Sequence, residues 1–114
     1  MTNFIDLFSG AGGLSEGFMR AGFNPIAHVE MNKDACDTLK TRTAYHYLKE
    51  NNSIETYHKY LKKKITREEL WSSVPRNLID SVINTEISKK TLNPIFEQID
   101  SSLGDKNVDL IIGG

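Results

Sequence analysis

Apolar residues come in short, separated bursts along this chain. Phe4-Ile5-Asp6-Leu7-Phe8 is cut off by Ser9-Gly10 and reads as a buried strand. Leu14, Phe18 and Ala21 then recur at i, i+4 and i+7, the stripe of a short amphipathic helix, with Gly22 at its C-terminal end. Asn24-Pro25 leads into a second strand, residues 26–29, closed by Glu30. Asn32 is the expected N-cap of a helix over residues 33–47, with Ala35, Cys36, Leu39, Thr43 and Tyr47 inward. Residues 51–77 change character: polar, Lys- and Glu-rich and free of glycine, they predict two helices, with Thr66 and Glu69 as a capping box. A third strand is expected over residues 78–84, and a helix over 92–103 carries Ile95, Phe96, Ile99 and Leu103. Residues 108–112 predict a last strand running into Gly113-Gly114. Strand, glycine loop, helix, strand, helix is the opening of a parallel α/β sheet.

Composition narrows the classes. Fourteen basic against fifteen acidic side chains give a net charge of −1, which excludes a whole-chain electrostatic drive toward nucleic acid or anionic membrane but not a local patch. One cysteine excludes an internal disulfide and suits a reducing compartment. No apolar run approaches the ~20 residues that span a bilayer, and the N-terminus lacks the layout of a signal peptide. A single-core intracellular chain is expected.

The glycines crowd the two ends. Gly10, Gly12, Gly13, Gly17 and Gly22 precede a long gap that lasts until Gly104. A glycine loop between a strand and a helix lets a ligand reach main-chain N–H groups, and the helix N-terminus favours a negative group. Glu30 ends the second strand twenty positions after Gly10, where a carboxylate accepts both hydroxyls of a ribose. The spacing points to an adenosine-bearing cofactor without saying which. Ser15 stands where a dinucleotide fingerprint counted from Gly10 has its third glycine, which weighs against NAD while leaving it open.

Three segments resemble the DNA cytosine-5 methyltransferases. Asp6-Leu7-Phe8-Ser9-Gly10-Ala11-Gly12-Gly13-Leu14 is similar to the family's first motif, which holds S-adenosylmethionine. Val29-Glu30-Met31 with Asp34-Ala35 and Leu39 is similar to the second. Asp109 to Gly114 resembles the lead-in to the fourth, which continues in the family into Pro-Cys-Gln. The resemblance implies a Rossmann-like methyltransferase fold, here its N-terminal half in strand order 3-2-1-4, with a helical insertion near residues 50–75. It implies a cofactor site of Phe8, Ser9, Gly10, Ala11, Gly12, Gly13, Leu14, Glu30, Met31, Glu86, Ile87 and Gly114. Phe8 would lie against the adenine, Met31 would flank it, and Glu30 would hold the ribose. Gly10 to Gly13 would approach the methionine part. Glu86-Ile87 is the best counterpart of the family's Asp-Ile pair, one carbon longer. The family's nucleophile is a cysteine expected just after Gly114, so residues 1–114 are expected to be a partial catalytic domain, inactive alone and without a target-recognition domain. The implied partner is double-stranded DNA, and the implied setting a bacterial cytoplasm and a restriction-modification system. A non-catalytic interaction fragment and an NAD-type module are the alternatives.

Other residues read more plainly. Cys36 is expected to be a small buried hydrophobe. His28, His46 and His58 share no metal-ligand spacing. Lys59, Lys62, Lys63, Lys64 and Arg67, interleaved with Glu55, Glu68 and Glu69, suggest a solvated face rather than a DNA contact. Trp71 is expected in the core or at a hinge between helices. Asp6 and Asp109 end or interrupt apolar strands and are expected near the glycine loop; Asp6 is expected either to orient that loop through backbone hydrogen bonds or to be an exposed strand-end carboxylate. Val108 to Ile112 is expected to be an open edge through which the fragment self-associates.

Overall fold

Four of the apolar runs become parallel strands. A computed structural model describing residues 2–113 runs β1 (Asn3–Leu7), α1 (Gly13–Arg20), β2 (Asn24–Glu30), α2 (Lys33–Glu50), α3 (Ile54–Leu61), α4 (Arg67–Ser72), α5 (Arg76–Asp80), β3 (Val82–Asn84), α6 (Leu92–Leu103) and β4 (Leu110–Gly113). The sheet order is β3-β2-β1-β4, all parallel, as the α/β reading and the resemblance require. Among the described residues no helix is long and apolar enough to cross a membrane.

Successive strand residues face opposite sides. Ile5, Ala27, Val29 and Ile83 form one buried layer with Ile95 and Ile99 of α6. On the other side Phe4 meets Phe18 of α1, which stacks on Phe23. The outer strands are β3 and β4, and Ile111 of β4 is exposed.

Helix α2 is the spine of the helical half. Asn32 caps it as expected, its side chain accepting the Ala35 N–H. Cys36 and Leu39 pack on Val82 of β3, while Ala44 and Leu48 a few turns on pack with Leu70 and Val74. The insertion therefore shares α2 with the sheet instead of forming a separate unit. It holds three helices, not two, because Leu78 and Ile79 belong to α5 and only Val82–Asn84 pair with β2. That shortens the expected third strand: the Pro75 turn starts a helical turn, and Ser81 closes it with a hydroxyl bond to the Leu78 carbonyl. The Thr66–Glu69 capping box forms. Strand β4 begins at Leu110, two residues later than expected.

Helix α1 departs most from its apolar stripe. Leu14 and Ala21 are exposed, while polar Ser15 is buried. Ser15 faces the sheet because His28 of β2 is there, its Nε2 2.7 Å from the Ser15 hydroxyl. Asp6 corrects both expectations made for it: the residue is fully buried, and neither carboxylate oxygen has a partner among the described residues. Burial pushes its carboxyl up to about 6. Burial likewise pushes His28 down to about 4. Asp109 is not near the glycine loop as expected but at the far end of the sheet, because it precedes β4 and accepts the Asn3 N–H at 2.8 Å where β4 meets the start of β1.

Two outcomes test this packing. Gly12 has φ 90°, and a Cβ there would lie 2.7 Å from Leu39 Cδ2. Gly12→Ala should therefore cost about 1–3 kcal/mol in chemical denaturation, through left-handed backbone and a displaced Leu39; an unchanged midpoint would contradict the close approach of loop and α2. The second outcome concerns pH. The unfolded chain protonates His28 near 6.5 but the folded one only near 4, so falling pH costs stability in that window. Folded Asp6 takes up its proton near 6, ahead of the unfolded 3.8, so falling pH adds stability there. Each contribution is roughly 3 kcal/mol and they oppose. Relative to the unmodified protein, Asp6→Asn should lose stability between pH 6.5 and 4, and His28→Gln should gain it. Three parallel stability profiles would contradict these burial effects.

Candidate functional site

The ends of β1 and β2 create the site. Beyond Leu7 the chain cannot continue as strand: Phe8, Gly10 and Gly12 have φ of 55°, 56° and 90°. Glycine adopts such values freely, but an aromatic residue does so at a cost of order 1–3 kcal/mol, so Phe8 is held there by its surroundings. The holding bonds are on either side. Ser9 N–H donates to the Val29 carbonyl at 3.1 Å, and the Ser9 hydroxyl donates to the Asp6 carbonyl at 2.8 Å. Gly12 N–H donates back to the Ser9 carbonyl at 3.0 Å, turning the chain into α1. The Phe8 ring is left 58% exposed.

Glu30, at the end of β2, closes the site. Its Oε1 accepts the Gly10 N–H at 3.0 Å, and its Oε2 accepts the Asn32 N–H at 2.7 Å. One carboxylate thus joins the glycine loop to the turn that starts α2. Met31, next along, is 69% exposed. Phe8, Gly10, Glu30 and Met31 therefore share one rim. Ala11, Gly13 and Leu14 are also exposed there, and a Cβ placed on Gly10 or Gly13 would meet nothing within 4 Å. The first N–H groups of α1, which begins just after this loop, have no helical partner by construction. Two apolar surfaces, a carboxylate with spare lone pairs and a helix N-terminus are a donor and acceptor set that fits an adenosine carrying a charged tail.

The third strand contributes a residue that sequence reasoning missed. Asn84 ends β3, and its Nδ2 donates to the Met31 carbonyl at 2.9 Å and the Glu30 carbonyl at 3.2 Å. It also lies 3.5 Å from Cys36 Sγ, whose thiol reaches the Glu30 carbonyl at 3.3 Å. Asn84 so fixes the main chain that carries Glu30 and Met31. Its only sequence signal was its place at the end of an apolar run. Glu86 is exposed two residues beyond β3, and Ile87 packs partly against the sheet core. Gly114 lies outside the described residues.

The remaining candidates separate from the rim. Cys36 is buried, and burial raises its thiol above the ordinary value, which suits the packing role expected of it. Glu16 of α1 accepts from His46 of α2 at 3.0 Å and lies 3.6 Å from Arg42. Partial burial pushes the Glu16 carboxyl up, but His46, Arg42 and Arg20 outweigh it and hold it below its ordinary value. His58 is exposed, and among the described residues no cluster of His, Cys, Asp and Glu could hold a metal. Lys59, Lys62, Lys63 and Lys64 are exposed, whereas Arg67 and Lys40 lie against the Trp71 ring, whose indole N–H donates to the Thr41 hydroxyl. Trp71 joins α4 to α2. An open trough of about 490 Å³ runs along the β3 edge past Lys40, Asn77 and Thr85, but it has no glycine loop.

Comparison with known proteins agrees with this geometry. The family described as C-5 cytosine-specific DNA methylase matches residues 2–75. The type II methyltransferase M.Bpa9945I of Bacillus paralicheniformis is 60% identical over 58 residues, covering 51% of this chain and 13% of that protein. A Methanocaldococcus jannaschii protein assigned by name to the type II methyltransferases, M.MjaORF1200P, is 33% identical over an alignment of 135 residues covering all of this chain and 35% of its own. The type II methyltransferase M1.HphI of Haemophilus parahaemolyticus is 51% identical over 43 residues, covering 38% of this chain and 12% of that protein. The chain thus spans about a third or less of the length of these relatives, and no solved structure matches it. With the first-motif loop, the acidic end of β2 and the sheet order all in place, the chain belongs to the C-5 cytosine-specific DNA methylase family.

Proposed function

We propose that residues 1–114 are the S-adenosylmethionine-binding half of a methyltransferase domain acting on C5 of cytosine in double-stranded DNA. The observation that carries this reading is the Gly10 N–H to Glu30 Oε1 bond of 3.0 Å, which brings a glycine loop and a strand-end carboxylate onto one rim. Each Glu30 oxygen accepts one main-chain N–H and keeps a further lone pair for a ribose hydroxyl. Phe8 and Met31 offer apolar surface to an adenine. The α1 N-terminus and the open space over Gly10 and Gly13 suit the charged methionine end. Ser9, Ala11, Gly12 and Leu14 shape that loop, and Glu86 with Ile87 follows the end of β3.

Bound there, S-adenosylmethionine supplies the methyl group. The chain's own residues would orient it: Glu30 would hold the ribose, and the glycine loop would receive the methionine end. The nucleophile lies outside these residues, since Cys36 is the chain's one cysteine and is buried under Asn84. Ser15, at the third-glycine position of a dinucleotide fingerprint, is buried against His28, which supports S-adenosylmethionine over NAD.

Calorimetry on the intact protein tests this with S-adenosylmethionine, its demethylated product and NAD. Both S-adenosyl ligands should bind, and tighter binding of NAD would overturn the reading. Glu30→Ala should weaken S-adenosyl binding by about 10- to 150-fold, the equivalent of roughly 1.5–3 kcal/mol for a charge-assisted hydrogen bond. An unchanged Kd would remove Glu30 from the ribose. Replacing Lys62, Lys63 and Lys64 by Ala should leave that Kd within about twofold and the salt slope of DNA binding unaltered, whereas each lost phosphate contact would flatten that slope by about 0.9.

A further inference from the structure

The buried side-chain atoms without partners among the described residues are Asp6 Oδ1, Asp6 Oδ2 and His28 Nδ1. They lie in one place. Asp6 and His28 are opposite one another in the register of β1 and β2, so their side chains share a sheet face about 4.8 Å apart at the backbone. That face is the one under α1, because Phe4 two residues earlier meets Phe18 and His28 meets Ser15. Asp6 has Ile112 on its other side, which offers no donor. A buried carboxylate beside apolar neighbours is costly unless a donor reaches it. The one unsatisfied ring nitrogen in the cluster belongs to His28.

We propose that Asp6, His28 and Ser15 form a hydrogen-bonded relay that positions the glycine loop, with His28 Nδ1–H donating to the Asp6 carboxylate through one bridging water. His28 Nε2 is then bare and accepts the Ser15 hydroxyl at 2.7 Å. This tautomer gives Nδ1 and the Asp6 carboxylate each a partner while leaving Nε2 bare for Ser15. Ser15 is 2% exposed, so it serves as an anchor and not as a nucleophile. The relay acts on the loop through its connectivity. Asp6 is the last but one residue of β1 and Ser15 lies in the first turn of α1, and residues 8–12 span the interval. His28 ties the two stems together from β2. It does so two residues before Glu30, which holds the middle of the same loop through Gly10. His28 is thus a positioning residue, out of reach of any ligand itself. Its link to cofactor affinity rests on the function proposed above; the hydrogen bond itself does not.

The test has one arm for each part. Long-range ¹H–¹⁵N correlation of the His28 ring in the intact protein at pH 7 should show a neutral imidazole protonated at Nδ1. An Nε2–H tautomer or a charged ring would overturn the relay. In calorimetry with the demethylated product of S-adenosylmethionine, His28→Leu should weaken binding about tenfold, one hydrogen bond's worth of loop order. His28→Asn places an amide donor where Nδ1 was and should restore affinity to within about threefold of the unmodified protein. Equal weakening by the two variants, or none by either, would overturn the positioning role. Absence of S-adenosyl binding by the unmodified protein would instead overturn the proposed function, with the ring tautomer still deciding the hydrogen bond.

Discussion

The Glu30 carboxylate is the constraint on which the site depends. It joins the loop after β1, twenty residues earlier, through Gly10 to the turn between β2 and α2 through Asn32. Without it the Gly10 N–H and the Asn32 N–H would both need new acceptors at the mouth of the sheet. A carboxylate accepting two main-chain N–H groups is a charge-assisted arrangement, stronger than a neutral pair. The same group is the one a ribose would meet. Structural clamp and ligand acceptor are thus one side chain, with lone pairs enough for both.

The rest of the rim follows from holding that clamp still. Asn84 and the Cys36 thiol fix the main chain at Glu30 and Met31 from the β3 side. Gly12, pressed against Leu39, fixes the loop against α2. Phe8 adopts a backbone conformation that aromatic residues rarely take, and the bonds of Ser9 to Val29 and Asp6 keep it there. That arrangement spends conformational freedom on keeping an aromatic ring exposed, which makes sense where the ring has a ligand to meet. Meanwhile α2 continues past the sheet to carry α3, α4 and α5, so the insertion is attached without disturbing the rim.

Most of this was legible in the sequence because strand ends, glycines and caps are local signals. Phe4 to Leu7, Asn32, the Thr66–Glu69 box and the uneven glycines each implied their own structure, while the Gly10 N–H to Glu30 bond itself was not among the readings. What was not legible depends on neighbours across the sheet. Leu14 continued an apolar stripe yet is exposed, because the sheet presents His28 and so takes Ser15 instead. Asp6 looked like a strand-end carboxylate, but β4 and α1 cover it. Leu78 and Ile79 matched a strand by composition, and the turn after Pro75 made them helix. Asn84 had no periodic or motif signal, since its role is set by which main-chain carbonyls lie beside it.

The central claim is that the loop after β1 and the end of β2 together form an S-adenosyl site. It is tested most directly by mapping backbone amide shifts in the intact protein as the demethylated product of S-adenosylmethionine is added. The largest changes should fall on Gly10, Gly12, Gly13 and Met31, with Asn32 following through Glu30, and α3, α4 and α5 should stay still. Changes centred instead on the trough along β3, at Lys40, Asn77 and Thr85, with the glycine loop unmoved, would contradict it.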